Sequence, residues 1–333
     1  MADEDKHRED GTGKSVAYFL TGFFGLLLLS ATFFVFFLCK KSSYVPDRSF
    51  IVENLKDEHF SRLLVERKVA GCFSMTKIII KIMKLFKYNV KLGEYALPNR
   101  VSLFEALEII DSGKVVVHKI TIPEGFSVMQ VIRRLEKDEN LLGAIIKIPQ
   151  EGSLLPDTYC FKYPTTRQEI ISWARQAMRE FMHREWPKRS LTCKLSNSHE
   201  AVTLASIIEK ETNSERKKIA GVYMKRLKIG MRLQACPTVI YALKKGDVLG
   251  RELRYSDLIV DDPFNTYMHN GLPPGPITNP GRESILAVLH PEETEELFFV
   301  HRGNGYHAFA KTYREHKKNI ARFRHISTRQ NNL

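Results

Sequence analysis

Residues Val16–Cys39 read VAYFLTGFFGLLLLSATFFVFFLC, 24 residues without a charge. As a helix rising about 1.5 Å per residue, such a run is long enough to cross a hydrocarbon core of about 30 Å. It constrains the whole chain, because a single span places everything after it on one side of a bilayer. A cleaved signal peptide is the competing reading. Its apolar region is shorter, and a small-residue cleavage site follows it. Here Lys40-Lys41 follows Cys39, and Val-Phe-Phe-Leu before Cys39 is not a lipoprotein pattern. The run is therefore read as an uncleaved transmembrane helix, residues 16–39. Orientation is not fixed by charge: Lys6, Arg8 and Lys14 on one side balance Lys40, Lys41 and Arg48 on the other. Residues 1–15 are expected to form a disordered tail.

The remaining chain has the means to build cores. Of 333 residues, 43% are hydrophobic and 27% charged, as in ordinary globular proteins. The net charge of +13 is unevenly spread: residues 301–333 carry eight Lys or Arg against Glu315 alone. Such a tail suits nucleic acid, an anionic membrane or an acidic polymer. Without interleaved aromatics or a reading motif, a solvated helix over Tyr313–Phe323 is the plainer account, and no nucleic-acid partner is expected. Five cysteines, Cys39, Cys72, Cys160, Cys193 and Cys236, show no metal-knuckle or redox spacing. They are expected to be mostly small buried hydrophobes.

After the apolar run, local signals alternate. Ser49–Glu53 is a short strand, Asp57–Arg67 and Ser74–Lys87 are helices, and Val90–Leu97 is strand-like. Ser102-x-x-Glu105 is a capping box that opens a helix closed by Gly113. Val115–Ile122 is rich in β-branched residues. Pro123-Glu124-Gly125 is a turn, and Ser127-x-x-Gln130 opens another helix. Small repeated units of this kind predict an α+β fold rather than a doubly wound sheet. No Gly-rich phosphate loop is present, so no nucleotide cofactor is expected, and no metal site is read. Arg167–Glu185 is a helix whose Trp173 is assigned to the core.

One helix carries an anomaly. At about 100° per residue, Leu204, Ile207, Ile208, Glu211 and Glu215 share a face, while Glu209 and Lys210 point away. Asn197-x-x-Glu200 caps this helix. A carboxyl group in an apolar stripe is costly when charged, so its pKa rises. A carboxylic acid protonated near neutral pH is what general-acid catalysis needs. Glu211 is thus the candidate acid. Downstream, Gly271–Gly281 holds three Gly and four Pro in eleven residues, which excludes a helix or central strand. It reads either as a rigid wall for a polar ligand or as a long structural connection. Ser284–His290 resumes a helix, and Leu297–Val300 with Tyr306–Ala310 reads as a hairpin.

Together, Ala205-Ser-Ile-Ile-Glu-Lys-Glu-Thr212, Ile229-Gly-Met-Arg-Leu-Gln234 with Pro237-Thr-Val-Ile-Tyr241, Asn265-Thr-Tyr267, and Gly271-Leu-Pro-Pro-Gly275 with Asn279-Pro-Gly281 resemble the YceG-like family of endolytic murein transglycosylases. Gly93-Glu-Tyr95, Pro123-Glu-Gly125 and Pro156-Asp-Thr-Tyr159 extend the resemblance upstream. The resemblance implies a bacterial inner-membrane enzyme, N-terminus cytoplasmic and catalytic part periplasmic. It also implies a LysM-like subdomain, here residues 45–118, before a catalytic domain, 119–333. The implied reaction cleaves the β-1,4 bond after N-acetylmuramic acid within glycan strands and leaves 1,6-anhydro ends. The implied partners are peptidoglycan strands, the lipid bilayer and peptidoglycan synthases, with no cofactor.

The family's essential acid carries over to Glu211. In the scheme this suggests, Glu211 acts twice, first as acid toward the glycosidic oxygen and then as base toward the muramic C6 hydroxyl. Gln234, Thr238, Asn265, Tyr267, Glu151 and Asp157 are the candidate cleft residues, and Glu215 is a candidate neighbour of Glu211. Two features depart from the pattern: Ser153-Leu154-Leu155 stands where an aromatic is expected after Glu151-Gly152, and the last twenty residues are unusually basic. Two rival readings stay open. One is a muramidase using Glu211 with Asp157 or Glu151. The other is a non-catalytic glycan-binding scaffold.

Overall fold

The computed structural model describes residues 4–44, 49–212, 214–303 and 305–330, and within these ranges the side chains from Ser15 to Phe323. Residue 45, where the LysM-like segment is expected to begin, and residues 1–3 of the expected tail lie outside the described residues. So do residues 331–333 at the C-terminus. The architecture is mixed α+β. The chain divides into two compact units, one ending at Val117 and one beginning at His118.

In the first unit, helix α1 spans Glu4–Cys39. Its segment Ser15–Cys39, 25 residues, has the length and composition to cross a membrane. Residues 4–14, expected to be irregular, continue this helix. An apolar helix once formed extends without a new nucleation step. Strands β1 (Phe50–Val52) and β2 (Gly93–Tyr95) pair antiparallel, Phe50 opposite Tyr95. Between them lie α2 (Asp57–Glu66) and α3 (Phe73–Leu85), so the strand-helix-helix-strand order is observed, with shorter strands than expected. Helix α4 (Leu103–Ser112) opens on the Ser102/Glu105 capping box and closes on Gly113 at φ 68°. Phe50, Phe60, Leu64, Ile79, Ile80, Tyr95, Leu107 and Ile110 fill the core.

The second unit begins with β3 (His118–Ile122), which pairs antiparallel with β4 (Asp157–Phe161). Asp157, expected in a polar loop, thus sits at the end of a strand, opposite Ile122. Helix α5 (Val128–Glu136) starts at the Ser127/Gln130 capping box and α6 (Arg167–Glu185) at one formed by Thr166 and Glu169. Trp173 on α6 is 40% exposed, contrary to its core assignment. The face of α6 that packs inward is the one carrying Ile170, Ile171, Ala174, Met178 and Phe181.

A helical group follows: α7 (Ser198–Glu211), α8 (Arg216–Lys228), α9 (Cys236–Lys244) and α10 (Arg282–Leu289). Strands β5 (Phe298–Gly303) and β6 (Tyr306–Ala310) form the expected hairpin, and α11 (Tyr313–Gln330) follows it. Most of the described residues of α11 are exposed. Helix α7 is the axis of this unit: every residue from Ala201 to Glu209 is buried. Fully burying Leu204, Ile207 and Ile208 contributes about 1.5–3 kcal/mol each. Close approach elsewhere has the same purpose. A Cβ at Gly221 of α8 would lie 2.0 Å from the Glu292 carbonyl oxygen, so only glycine lets that segment pack on the helix.

The five cysteines are free, and only Cys193 is buried. The expectation of buried thiols fails for the other four, which sit at exposed positions such as the solvent side of β4 for Cys160.

Candidate active site

Asn197 caps α7 by accepting the Glu200 N–H at 2.9 Å, and Glu200 in turn accepts the Ser196 N–H at 2.7 Å. This fixes the start of the helix. At the other end Thr212 is extended (φ −155°, ψ 152°), so α7 stops at Glu211. Glu211 therefore stands on the last helical turn, where the buried axis of the unit meets a surface cavity.

That cavity has a volume of about 450 Å³ and is lined by polar groups, among them Glu124, Lys210, Glu211, Thr212 and His301. Glu211 is half-buried and lines this cavity. The Tyr223 hydroxyl donates a hydrogen bond to Glu211 Oε1 at 3.1 Å. Burial pushes the Glu211 carboxyl up to about 7, only partly offset by the Tyr223 hydrogen bond and the Arg226 charge. Arg226 is no salt-bridge partner. Its Nε donates to the Leu297 carbonyl at 2.6 Å, and its Nη1 donates to the Leu233 carbonyl at 2.7 Å. It lends Glu211 a field without neutralising it. Tyr223 itself is fully buried, edge-on to Phe299 with ring centroids 5.6 Å apart. The carboxyl singled out by periodicity thus has a raised pKa and a neutral donor holding its orientation.

Two of its sequence neighbours behave differently from expectation. Glu209 does lie on the opposite side of α7, yet that side is not solvent. Its carboxylate is buried, accepts the Gly281 N–H at 2.8 Å and lies 3.6 Å from Arg216. The wheel fails here because α7 is enclosed all round. Glu215 does not share the Glu211 face, because the helix ends before it. It precedes α8, and its Oε2 accepts the His307 backbone N–H at 2.6 Å and lies 3.0 Å from His307 Nδ1.

The Gly/Pro-rich segment contains no helix or strand and is stitched to its surroundings at successive residues. Ile277 donates to Ser206 Oγ at 3.0 Å, and Asn279 exchanges backbone hydrogen bonds with the 125–126 turn at 2.9 and 3.0 Å. Leu154 N–H donates to Asn279 Oδ1 at 3.0 Å. It forms a rigid strap along α7.

Of the other expected cleft residues, Tyr267 is close: its hydroxyl lies 3.2 Å from Cys236 Sγ, and burial, Cys236 and Glu211 together push its pKa up. Gln234 has an exposed side chain on a left-handed backbone (φ 51°), held by Gln234 N–H to Thr266 O at 3.1 Å. Thr238 and Asn265 are fully buried and satisfied inside the fold. Thr238 Oγ1 bonds the Ala235 carbonyl at 2.7 Å. Asn265 Nδ2 donates to Leu258 O and Val260 O at 3.0 and 2.7 Å, and its Oδ1 accepts the Tyr267 N–H at 2.9 Å. Both position the loops that carry Tyr267.

Asp157 is not among the residues lining the Glu211 cavity; burial raises its carboxyl, but Arg282 at 2.7 Å and the Thr158 N–H together outweigh burial and hold it down. Glu151 is pushed up to about 7 by burial, against the Val128 N–H it accepts at 2.8 Å. It lines a different groove with Tyr241, Phe264 and His199. A larger cavity of about 630 Å³ opens beside Arg216 and Glu283, but its Glu215 and Glu283 are taken up by His307 and Arg216. Among the described residues, no group of three His, Cys, Asp or Glu is placed to hold a metal ion.

Sequence reasoning passed over Tyr223, Arg226 and Glu124. Glu124 was visible only as the middle of a Pro-Glu-Gly turn.

Comparison with known proteins agrees with the motifs. A family model described as the YceG-like family matches residues 51–322. The endolytic murein transglycosylase of Bacillus subtilis (strain 168) is 34% identical over 75% of this chain and 79% of its own length. That of Streptococcus pneumoniae serotype 2 is 26% identical, and this chain spans about half of it (52%). A crystal structure of a YceG-like protein from Listeria monocytogenes superposes with a TM-score of 0.51 at 32% identity, over 81% of this chain and 97% of that one. The chain belongs to the YceG-like family.

Proposed function

We propose that this chain is a membrane-anchored endolytic lytic transglycosylase of peptidoglycan, a lyase. It cleaves the β-1,4 bond between N-acetylmuramic acid and N-acetylglucosamine within glycan strands and leaves 1,6-anhydromuramic ends. The observation that carries this reading is Glu211: a carboxyl raised to about 7, oriented by Tyr223, at the edge of a polar cavity. The names of the relatives supply the substrate class.

Protonated Glu211 donates to the glycosidic oxygen as the C1–O4 bond breaks. The muramic C6 hydroxyl then closes on C1, so no water is consumed. An internal nucleophile removes the need for the carboxylate nucleophile of a retaining hydrolase. Positive charge developing at C1 is met by the polar lining.

In this reading α1 crosses the bacterial inner membrane once, with the N-terminus cytoplasmic and the second unit periplasmic. The first unit serves as a LysM-like glycan-holding part. Peptidoglycan synthases are the partners, and release of nascent strands is the role. A reporter fused after the last residue, scored for periplasmic against cytoplasmic activity, tests the orientation.

Digestion of purified glycan strands, followed by mass spectrometry, tests the chemistry. Anhydromuramic ends are expected; reducing-end muramic acid would overturn the reading. A muramidase stays a defined second reading because a second carboxyl, Glu124, lines the same cavity as Glu211. A non-catalytic scaffold predicts instead that Glu211→Gln and the parent behave alike.

A further inference from the structure

We propose that Glu124 is a second catalytic residue: it lines the same cavity as Glu211 and accepts the proton of the sugar hydroxyl that attacks C1. The assignment rests on the transglycosylase reading and replaces the second use of Glu211 in it.

The placement of Glu124 is built into the fold. The turn that carries it is tied to the strap by Gly125 N–H to Asn279 O at 3.0 Å and Asn279 N–H to Phe126 O at 2.9 Å. Its carboxylate lies directly over Gly281: a Cβ there would come within 1.9 Å of Glu124 Oε1. On the other side, Gly125 (φ 72°) brings the turn against Glu209 and Lys210 of α7.

The carboxylate also has capacity to spare. Among the described residues its one ion pair is with Arg216 Nη2 at 3.9 Å, and no hydrogen bond reaches it. Glu209, by contrast, is occupied by Gly281 and Arg216. Among the described carboxylates on this cavity other than Glu211, Glu124 is the one whose lone pairs remain available for a hydroxyl. The charged and titratable groups around it are Glu209, Lys210 and Glu211 from α7, Arg216 from α8, Arg282 and Glu283 from α10, and His301 from β5. Burial, Glu209 and Glu283 raise its pKa against Arg216 and Arg282, which makes the carboxylate a better base.

The step balances. Glu211 gives its proton to O4 as the C1–O4 electron pair leaves with O4. The C6 oxygen forms its bond to C1, and its proton passes to Glu124. Glu211 ends as carboxylate and Glu124 as carboxylic acid, and proton exchange with solvent in the open cavity resets both.

The test compares the full-length parent with Glu124→Gln and Glu124→Ala on purified glycan strands, with products identified and kcat and KM measured across pH. Glu124→Gln is expected to lower kcat by roughly 100-fold or more with KM within twofold, and to flatten the acidic limb of the kcat profile. Added formate is expected to restore part of the activity of Glu124→Ala, which a structural role would not permit. If Glu124→Gln folds poorly, formate rescue of Glu124→Ala alone decides. A kcat within threefold of the parent, or a loss that keeps the acidic limb and resists formate, overturns the assignment. Reducing muramic ends from the parent would instead overturn the transglycosylase reading, and with it the assignment of the C6 hydroxyl.

Discussion

The Tyr223 hydroxyl donates to Glu211 Oε1 at 3.1 Å from a fully buried ring on the neighbouring helix. A donor stabilises the charged form, so it lowers a pKa that burial has raised to about 7. Tyr223→Phe removes only that donor. Glu211 then holds its proton to higher pH, and the basic limb of the kcat profile is expected to move up by about one unit. Steady-state kinetics on glycan between pH 5 and 9 checks this. A basic limb that does not move would mean that another group sets it.

Glu211 also ties stability to pH. Its folded pKa of about 7 lies above the ordinary carboxyl value of 4.5. Between those values the folded state binds more proton than the unfolded one, so stability falls as pH rises. The contribution is complete below about pH 4.5 and lost above about pH 7. Glu211→Gln cannot ionise. Relative to the parent it is expected to gain roughly 2 kcal/mol on going from pH 5 to pH 8, or about 5 °C in Tm, while losing cleavage. Thermal melts of both proteins at the two pH values check this, provided Glu151, which is also raised to about 7, is present in both.

Glu151 separates a raised pKa from a catalytic role. Its Oε1 accepts the Val128 N–H at 2.8 Å and the Asn279 Nδ2–H at 3.3 Å, and it lines another groove. Glu151→Gln keeps an acceptor and is expected to cleave at the parent's rate. Glu151→Ala leaves two donors unpaired and is expected to cost about 1–3 kcal/mol in a denaturant titration. A kcat loss of 100-fold in Glu151→Gln would restore it to the cleft.

Asn265 holds the loop under Tyr267 with three hydrogen bonds of 2.7–3.0 Å from a fully buried side chain. Asn265→Ala orphans the Leu258 carbonyl and the Tyr267 N–H, while the Val260 carbonyl keeps the Asp262 N–H, a loss of about 2–4 kcal/mol. Melts are expected to fall by roughly 5–12 °C. A ligand-contacting Asn would instead raise KM with little change in Tm.

These residues show what a sequence can and cannot reveal. The capping boxes at Ser102 and Ser127 were legible because both partners lie within four residues. Glu211 stood out because Leu204, Ile207 and Ile208 precede it on the same face of α7. Glu215 misled because a periodic pattern does not mark where a helix stops, and α7 stops at Glu211. Thr238 and Asn265 misled because a polar residue in a motif looks the same whether it meets a ligand or its own backbone. Glu124 lies 87 positions before Glu211, and only the strap between α7 and the 123–126 turn brings them to one cavity.

The strap offers the sharpest handle on that pairing. Gly281 has φ −72° and ψ 168°, a conformation any residue adopts, so its requirement for glycine is spatial. The atoms a Cβ would meet belong to the end of the Glu124 side chain, at 1.9–2.8 Å. That end is flexible, so Gly281→Ala is expected to cost less than about 1 kcal/mol of stability while displacing the carboxylate. Activity is then expected to fall toward that of Glu124→Gln, and the double variant should be no worse than either single one. Melts and single-turnover cleavage of the four proteins measure both quantities. Gly281→Ala with full activity, or a double variant whose losses multiply, would show that Gly281 does not act through Glu124.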